Sequence, residues 1–397
     1  MLCVFLLYSL LVVYYIIKSS KRGNFYLFSP LIIHLHFVFS NIYPLIVYEK
    51  NLPDNIVNVT IISCIINLYL LIRYRSLWNS KVVLEFPEII KGNKYANTRK
   101  VVSVLFLFLI FLSGFVTGVT PAILRGINVE DMRRSAEVGI GFIREIPSVG
   151  LPILVLEYFL LKQKNSIKKS IIIVLVISLV YFLATGHRRG VAVYLTVFLV
   201  WFNIKYRNFK WYEYFVIFFL AQPIIATIMT VIRSGADINS ISFTLFEHEK
   251  MIFDTNTILL ARWIEDTNLY LFGYSYFYGL VYFIPRFLWP GKPVSIDYYY
   301  KEVVGLDFEG GGIYTTGDFE LYLNFGYFYI LPYILFLLIP HIVYKKMCKR
   351  GLGYDLRLYF IVISIYGWGL IGFIKMSELY ILFLIIMFFF NKKWRLY

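Results

Sequence analysis

The sequence predicts an all-α, polytopic membrane helical bundle, on three observations. Of its 397 residues 59% are hydrophobic and only 16% charged, whereas soluble domains are nearer half apolar and a quarter charged. The apolar residues are gathered into runs long enough to cross the ~30 Å of a bilayer's hydrocarbon. The loops between those runs alternate between rich and poor in Lys and Arg, as the positive-inside bias requires.

Eleven spans are expected, at 1–17, 24–48, 56–72, 101–118, 148–161, 170–185, 190–203, 213–232, 322–344, 358–373 and 377–390. The shorter ones need their flanks to complete a crossing, or are packed inside the bundle. The first run has no basic n-region and no small-residue cleavage site, so it reads as a retained helix rather than a signal peptide. The chain is expected to form one transmembrane domain over 1–397. Cys3, Cys64 and Cys348 are far apart and apolar in context, and suggest neither a disulfide framework nor a metal site.

The loops 18–23, 73–100, 162–169, 204–212, 345–357 and 391–397 hold most of the 39 basic residues. They are expected on the cytoplasmic side, which puts the N-terminus outside and the C-terminus inside. The formal charge of +15 then faces anionic lipid, and nucleic acid is not needed to explain it.

The longest segment between spans is 233–321, a large extracytoplasmic loop with twice as many acidic as basic residues. It is too aromatic and apolar for disorder, and loops of this length usually carry function. Its 243–266 stretch has helical spacing of apolar residues, suited to the membrane interface. The 269–293 stretch is as apolar as a span but is interrupted by Gly273, Gly279, Pro285, Pro290 and Pro293. A crossing here would invert every later segment, so it is expected to be re-entrant or interfacial. Tyr274, Tyr276 and Trp289 stand among many rings whose apolar faces suit a sugar, an interfacial aromatic belt being the alternative. Asp318 and Glu320 follow at the mouth of the next span, as a base, cation ligands or N-terminal helix acids.

The sequence FGYSYFYGLVYFIPRFLWPGKP, followed by TTGDFELYLNFG, resembles the oligosaccharide repeat-unit polymerases, the O-antigen polymerase group. The resemblance rests on Ile284, Pro285 and Arg286, on Lys292 and Pro293, on Glu320, and on Asn324, Phe325 and Gly326. It is strongest over about 60 residues, and the many-span topology with one large outer loop extends it. It implies a GT-C-like membrane glycosyltransferase at the outer face of a bacterial inner membrane. Donor and acceptor would both be oligosaccharides on undecaprenyl diphosphate, with no cofactor and no metal. A flippase and a chain-length regulator are the partners implied.

Such a reaction needs cations where charge develops on the departing diphosphate, and arginine grips phosphate with two hydrogen bonds. Arg188 and Arg189, in a short outer turn against the positive-inside trend, are the first candidates, with Arg233, Arg286 and Lys292. Headgroup contacts and snorkelling are the bland alternatives. The acceptor hydroxyl needs a proton acceptor, for which Glu320 leads, with Asp318 and His248 behind it. No phosphate-binding loop, dinucleotide fingerprint, zinc spacing or nucleophile elbow is present. An O-antigen ligase and, from another class, a polysaccharide flippase or transporter are the competing functions.

Overall fold

The computed structural model describes residues 2–24, 29–47, 52–81, 93–125, 141–161, 166–185, 188–207, 209–216, 257–281, 284, 288–293, 296–305 and 315–350. The described residues are helical with no strand. Four helices among them are long and apolar enough to cross a membrane, namely Cys3–Lys21, Asp54–Arg73, Ile167–Thr185 and Gly317–Lys349. The chain is therefore an all-helical membrane protein by the length and composition of its helices.

The first half supplies α1 (Leu2–Lys21), α2 (Leu31–Phe37), a π turn (Val38–Ile42), α3 (Tyr43–Val47), α4 (Asp54–Arg73), α5 (Asn93–Val116) and α6 (Val119–Leu124). It continues with α7 (Gly141–Leu161), α8 (Ile167–Thr185), α9 (Arg188–Lys205) and α10 (Trp211–Val216). Each of the eight expected spans from 1–17 to 190–203 and at 322–344 has a helix at its position. The 213–232 span is described only in its first turn, and 358–373 and 377–390 lie outside the described residues.

Two groups of helices form the body. Helices α5, α7, α8 and α9 pack on one another, and the Trp201 indole of α9 donates to the Phe159 carbonyl of α7 at 3.0 Å. Helices α5 and α8 touch at backbone distance. A Cβ on Gly114 would lie 2.5 Å from the Ala184 Cα, the close approach that small residues permit between membrane helices. Gly114→Val is expected to lower stability by about 1–3 kcal/mol or more through overpacking. A reduced thermal unfolding midpoint of the purified protein checks this.

The second group joins α1, α2 and α4 to the C-terminal part of the described chain: α14 (Gly317–Phe325), a 3-10 turn (Gly326–Tyr329) and α15 (Ile330–Arg350). Its seam is polar although its outer surface is not. Leu6, Leu10, Ile65, Tyr69, Leu331 and Leu335 are exposed apolar groups, as a lipid-facing surface requires. Tyr8, His34, Ser63, Asn67, Tyr329 and His341 are buried between the helices. The His341 Nδ1 lies 2.6 Å from the Leu337 carbonyl, which can only accept, so that nitrogen carries hydrogen. In neutral rings His341 Nε2 then accepts from His34 Nε2 at 3.2 Å, and His34 Nδ1 accepts from the Tyr8 hydroxyl at 2.9 Å. One tautomer of each ring satisfies all three bonds.

Between the two groups of spans, the 233–321 segment contributes three short helices: α11 (Ile258–Thr267), α12 (Tyr274–Val281) and α13 (Ile296–Val303). None has the length of a span. The expected amphipathic character of 243–266 is seen in α11, which buries Leu260, Ala261 and Ile264 and exposes Arg262, Glu265 and Asp266. Residues 243–256 lie outside the described part. The interruption expected at Gly273 is a real turn: Phe272 and Gly273 have φ of 47° and 85°. Gly279, by contrast, lies inside α12 and does not break it.

Candidate functional site

The site is built on α14, whose start differs from the expected loop boundary. The helix begins at Gly317, within the segment assigned to the loop. Asp318 and Glu320 are therefore in its first turn, and both are buried, at 4% and 7% exposure. Two residues apart on a helix means about 200° of rotation, and the structure separates their surroundings accordingly.

Glu320 belongs with α12 and α13. Its charge acts on the Tyr276 phenol of α12 and the Tyr300 phenol of α13. Burial, then the Glu320 carboxylate, holds both phenols well above the usual tyrosine range, so each stays a neutral hydroxyl. The Tyr276 hydroxyl is buried with no hydrogen-bond partner among the described residues. A buried carboxylate beside a hydroxyl with bonding capacity to spare can accept a proton from one ligand atom and donate to another.

The Asn-Phe-Gly element holds this arrangement together, residue by residue. The Asn324 amide donates to the Ser275 hydroxyl at 2.9 Å and to the Glu320 carbonyl at 2.8 Å. The Ser275 hydroxyl in turn lies 3.1 Å from that of Tyr300. The Phe325 ring is parallel to that of Tyr276, with centroids 5.4 Å apart. Gly326 has φ of 55°, and a Cβ there would meet the Tyr270 ring at 3.1 Å. A backbone bond from Leu271 N–H to the Leu323 carbonyl at 2.9 Å completes the docking of the loop onto α14. Thr257, just before α11, and Thr315, just before α14, also meet, with their hydroxyls 3.0 Å apart.

Asp318 faces the other way. Its Oδ1 accepts the Asn41 amide at 2.6 Å, and Asn41 sits in the π turn of Val38–Ile42, a feature that often marks functional sites. The Ser63 and Thr316 hydroxyls are close to the carboxylate, while Oδ2 has no hydrogen-bond partner among the described residues.

The remaining candidates divide by what is described. Lys292 donates to the Ile284 carbonyl at 2.9 Å and stands 5.9 Å from the centre of the Tyr278 ring. The Tyr274 ring stacks on that of Tyr299 at 4.1 Å. Tyr276 has one face covered by Phe325, and Trp289 is half-buried. The backbone of Arg188 and Arg189 forms the first turn of α9 rather than a loop, and their side chains are outside the described part. Arg233, His248 and Arg286 lie outside the described residues. Sequence reasoning passed over Asn41, Ser63, Ser275 and Tyr300. The only local signal was a short polar residue inside an apolar run.

No family model matches the chain, and no curated protein or solved structure is significantly similar to it.

Proposed function

We propose that this protein polymerises undecaprenyl-diphosphate-linked oligosaccharide repeat units into a surface polysaccharide, by inverting glycosyl transfer at the outer face of a bacterial inner membrane. The supporting observation is Glu320, buried beneath the aromatic outer-loop helices and next to two neutral tyrosine hydroxyls. In this mechanism a hydroxyl of the incoming unit attacks the anomeric carbon of the growing chain. The bond to the diphosphate oxygen breaks, and the lipid diphosphate leaves with that electron pair. The acceptor's proton passes to the Glu320 carboxylate. Arg188, Arg189, Arg233, Arg286 and Lys292 are the cations assigned to the diphosphate. Tyr274, Tyr276 and Trp289 contact sugar.

The full proposal has about eleven spans in a GT-C-like arrangement, the N-terminus outside and the C-terminus cytoplasmic. A flippase supplies the substrate, and a chain-length regulator sets when growth stops. Purified protein, reconstituted with a single lipid-linked repeat unit, is expected to convert it to a ladder of multimers with release of lipid diphosphate. A ligase or a flippase leaves the repeat unit single, and that result refutes polymerisation.

A further inference from the structure

We propose that α12 lies in the plane of the bilayer, at the boundary between headgroups and acyl chains, and that Phe272, Phe277 and Leu280 are its lipid-binding face. Its pattern reverses that of a helix facing water. It buries Ser275, Tyr276 and Tyr278 and exposes Phe277 and Leu280, whereas a helix against water keeps its polar side outward. Helix α11 does follow the water rule. It exposes Arg262, Glu265 and Asp266 and buries Leu260, Ala261 and Ile264. Two successive helices of one segment thus meet different surroundings. The turn into α12 repeats the reversal. Phe272 is 83% exposed and holds φ of 47°, a conformation that bulky residues rarely adopt. The backbone is strained at Phe272 while the protein buries little of its ring, and a lipid surface completes that burial.

Depth is the second observation. Lys345 and Lys346 are exposed near the end of α15 and mark one surface of the membrane. From Lys345 back through α15, the ~30 Å of hydrocarbon takes about 20 residues at about 1.5 Å each, and so ends near Phe325. Phe325 is where α12 docks. Its ring stacks on that of Tyr276 with centroids 5.4 Å apart, and the Leu271 N–H donates to the Leu323 carbonyl at 2.9 Å. Helix α12 therefore stands at the opposite edge of the hydrocarbon from Lys345. The chain beside it faces lipid as well, since Phe328 and Leu331 are 85% and 68% exposed. Eight residues are too few to cross. A helix lying flat in the interface meets the length, the depth and the exposed rings together.

The test needs no glycan, so it stands or falls apart from polymerisation. The full-length protein carries Cys3→Ser and Cys348→Ser and keeps the buried Cys64, so that a nitroxide label reacts only at an introduced cysteine. Labels are placed by Phe272→Cys, Phe277→Cys or Leu280→Cys, with Glu265→Cys and Leu331→Cys for comparison. All five positions are exposed, so the folded state tolerates them, and any one of the first three decides the outcome. Each protein is reconstituted in vesicles of phosphatidylcholine and phosphatidylglycerol. Collisions are then measured with oxygen, which concentrates among acyl chains, and with a nickel chelate, which stays in water. Labels at 272, 277 and 280 are expected to behave like 331, relaxed by oxygen and with the nickel response lost, and 265 to show the reverse. Nickel reaching 277 and 280 as freely as 265 places the face in water and overturns the proposal. Labels that neither reagent reaches are covered by protein, from this chain or a second copy, which also overturns it.

Discussion

Glu320→Gln is expected to abolish polymerisation while leaving the protein folded. The substitution keeps the shape and the buried position of the side chain and removes only the capacity to take a proton. Loss of a general base lowers rates by about 10²–10⁴, which in a processive reaction reduces the product to single repeat units. The measurement is the length distribution of lipid-linked glycan made by reconstituted variant and wild type, with the unfolding midpoint as control. Because Glu320 also acts on the Tyr276 and Tyr300 phenols, the variant should leave these hydroxyls easier to ionise. Removing a nearby negative charge lowers a phenol's pKa, so their ultraviolet titration should move to lower pH. Normal ladders from Glu320→Gln would remove Glu320 from the chemistry.

Asn324→Ala is expected to undock α12 from α14. One amide makes bonds to Ser275 and to the Glu320 carbonyl, and its loss leaves the Ser275–Tyr300 pair without its anchor. Leaving buried polar partners unsatisfied costs about 1–3 kcal/mol, concentrated in one element rather than spread over the bundle. Faster amide exchange over residues 271–281, with little change in α4 and α15, is the structural signature. Activity should fall by about 10²-fold, the penalty for misplacing groups at a reacting centre by about 1 Å. Uniform exchange throughout the chain would instead show a global destabilisation, with no special role for Asn324.

The positions of the described spanning helices were readable because a bilayer imposes one strong rule on composition, and long apolar runs such as 56–72 obey it. The break at Gly273 was readable from the glycine itself, which takes the positive φ of a turn. Glu320 could be singled out through the resemblance carried by the Asn-Phe-Gly element that follows it. Its partners could not. Asn41, Ser63, Ser275 and Tyr300 are ordinary residues locally, and they gain meaning only from contacts across 25 to 277 positions of sequence. The start of α14 was misplaced because Gly317 and Asp318 resemble loop residues, whereas the acids at the helix start complement its dipole and the bundle encloses them.

The His34–His341 bond joins positions 307 apart, which has a consequence for biogenesis. At synthesis rates of about 5–20 residues per second, α2 waits on the order of 15–60 s for its partner. During that interval α2, the π turn and α4 carry His34, Asn41, Ser63 and Asn67 with their eventual partners between Gly317 and Arg350 still unmade. The half-built chain therefore presents polar groups to lipid that the finished protein conceals. Those groups are a ready mark by which membrane quality control can tell an incomplete or truncated copy from a mature one.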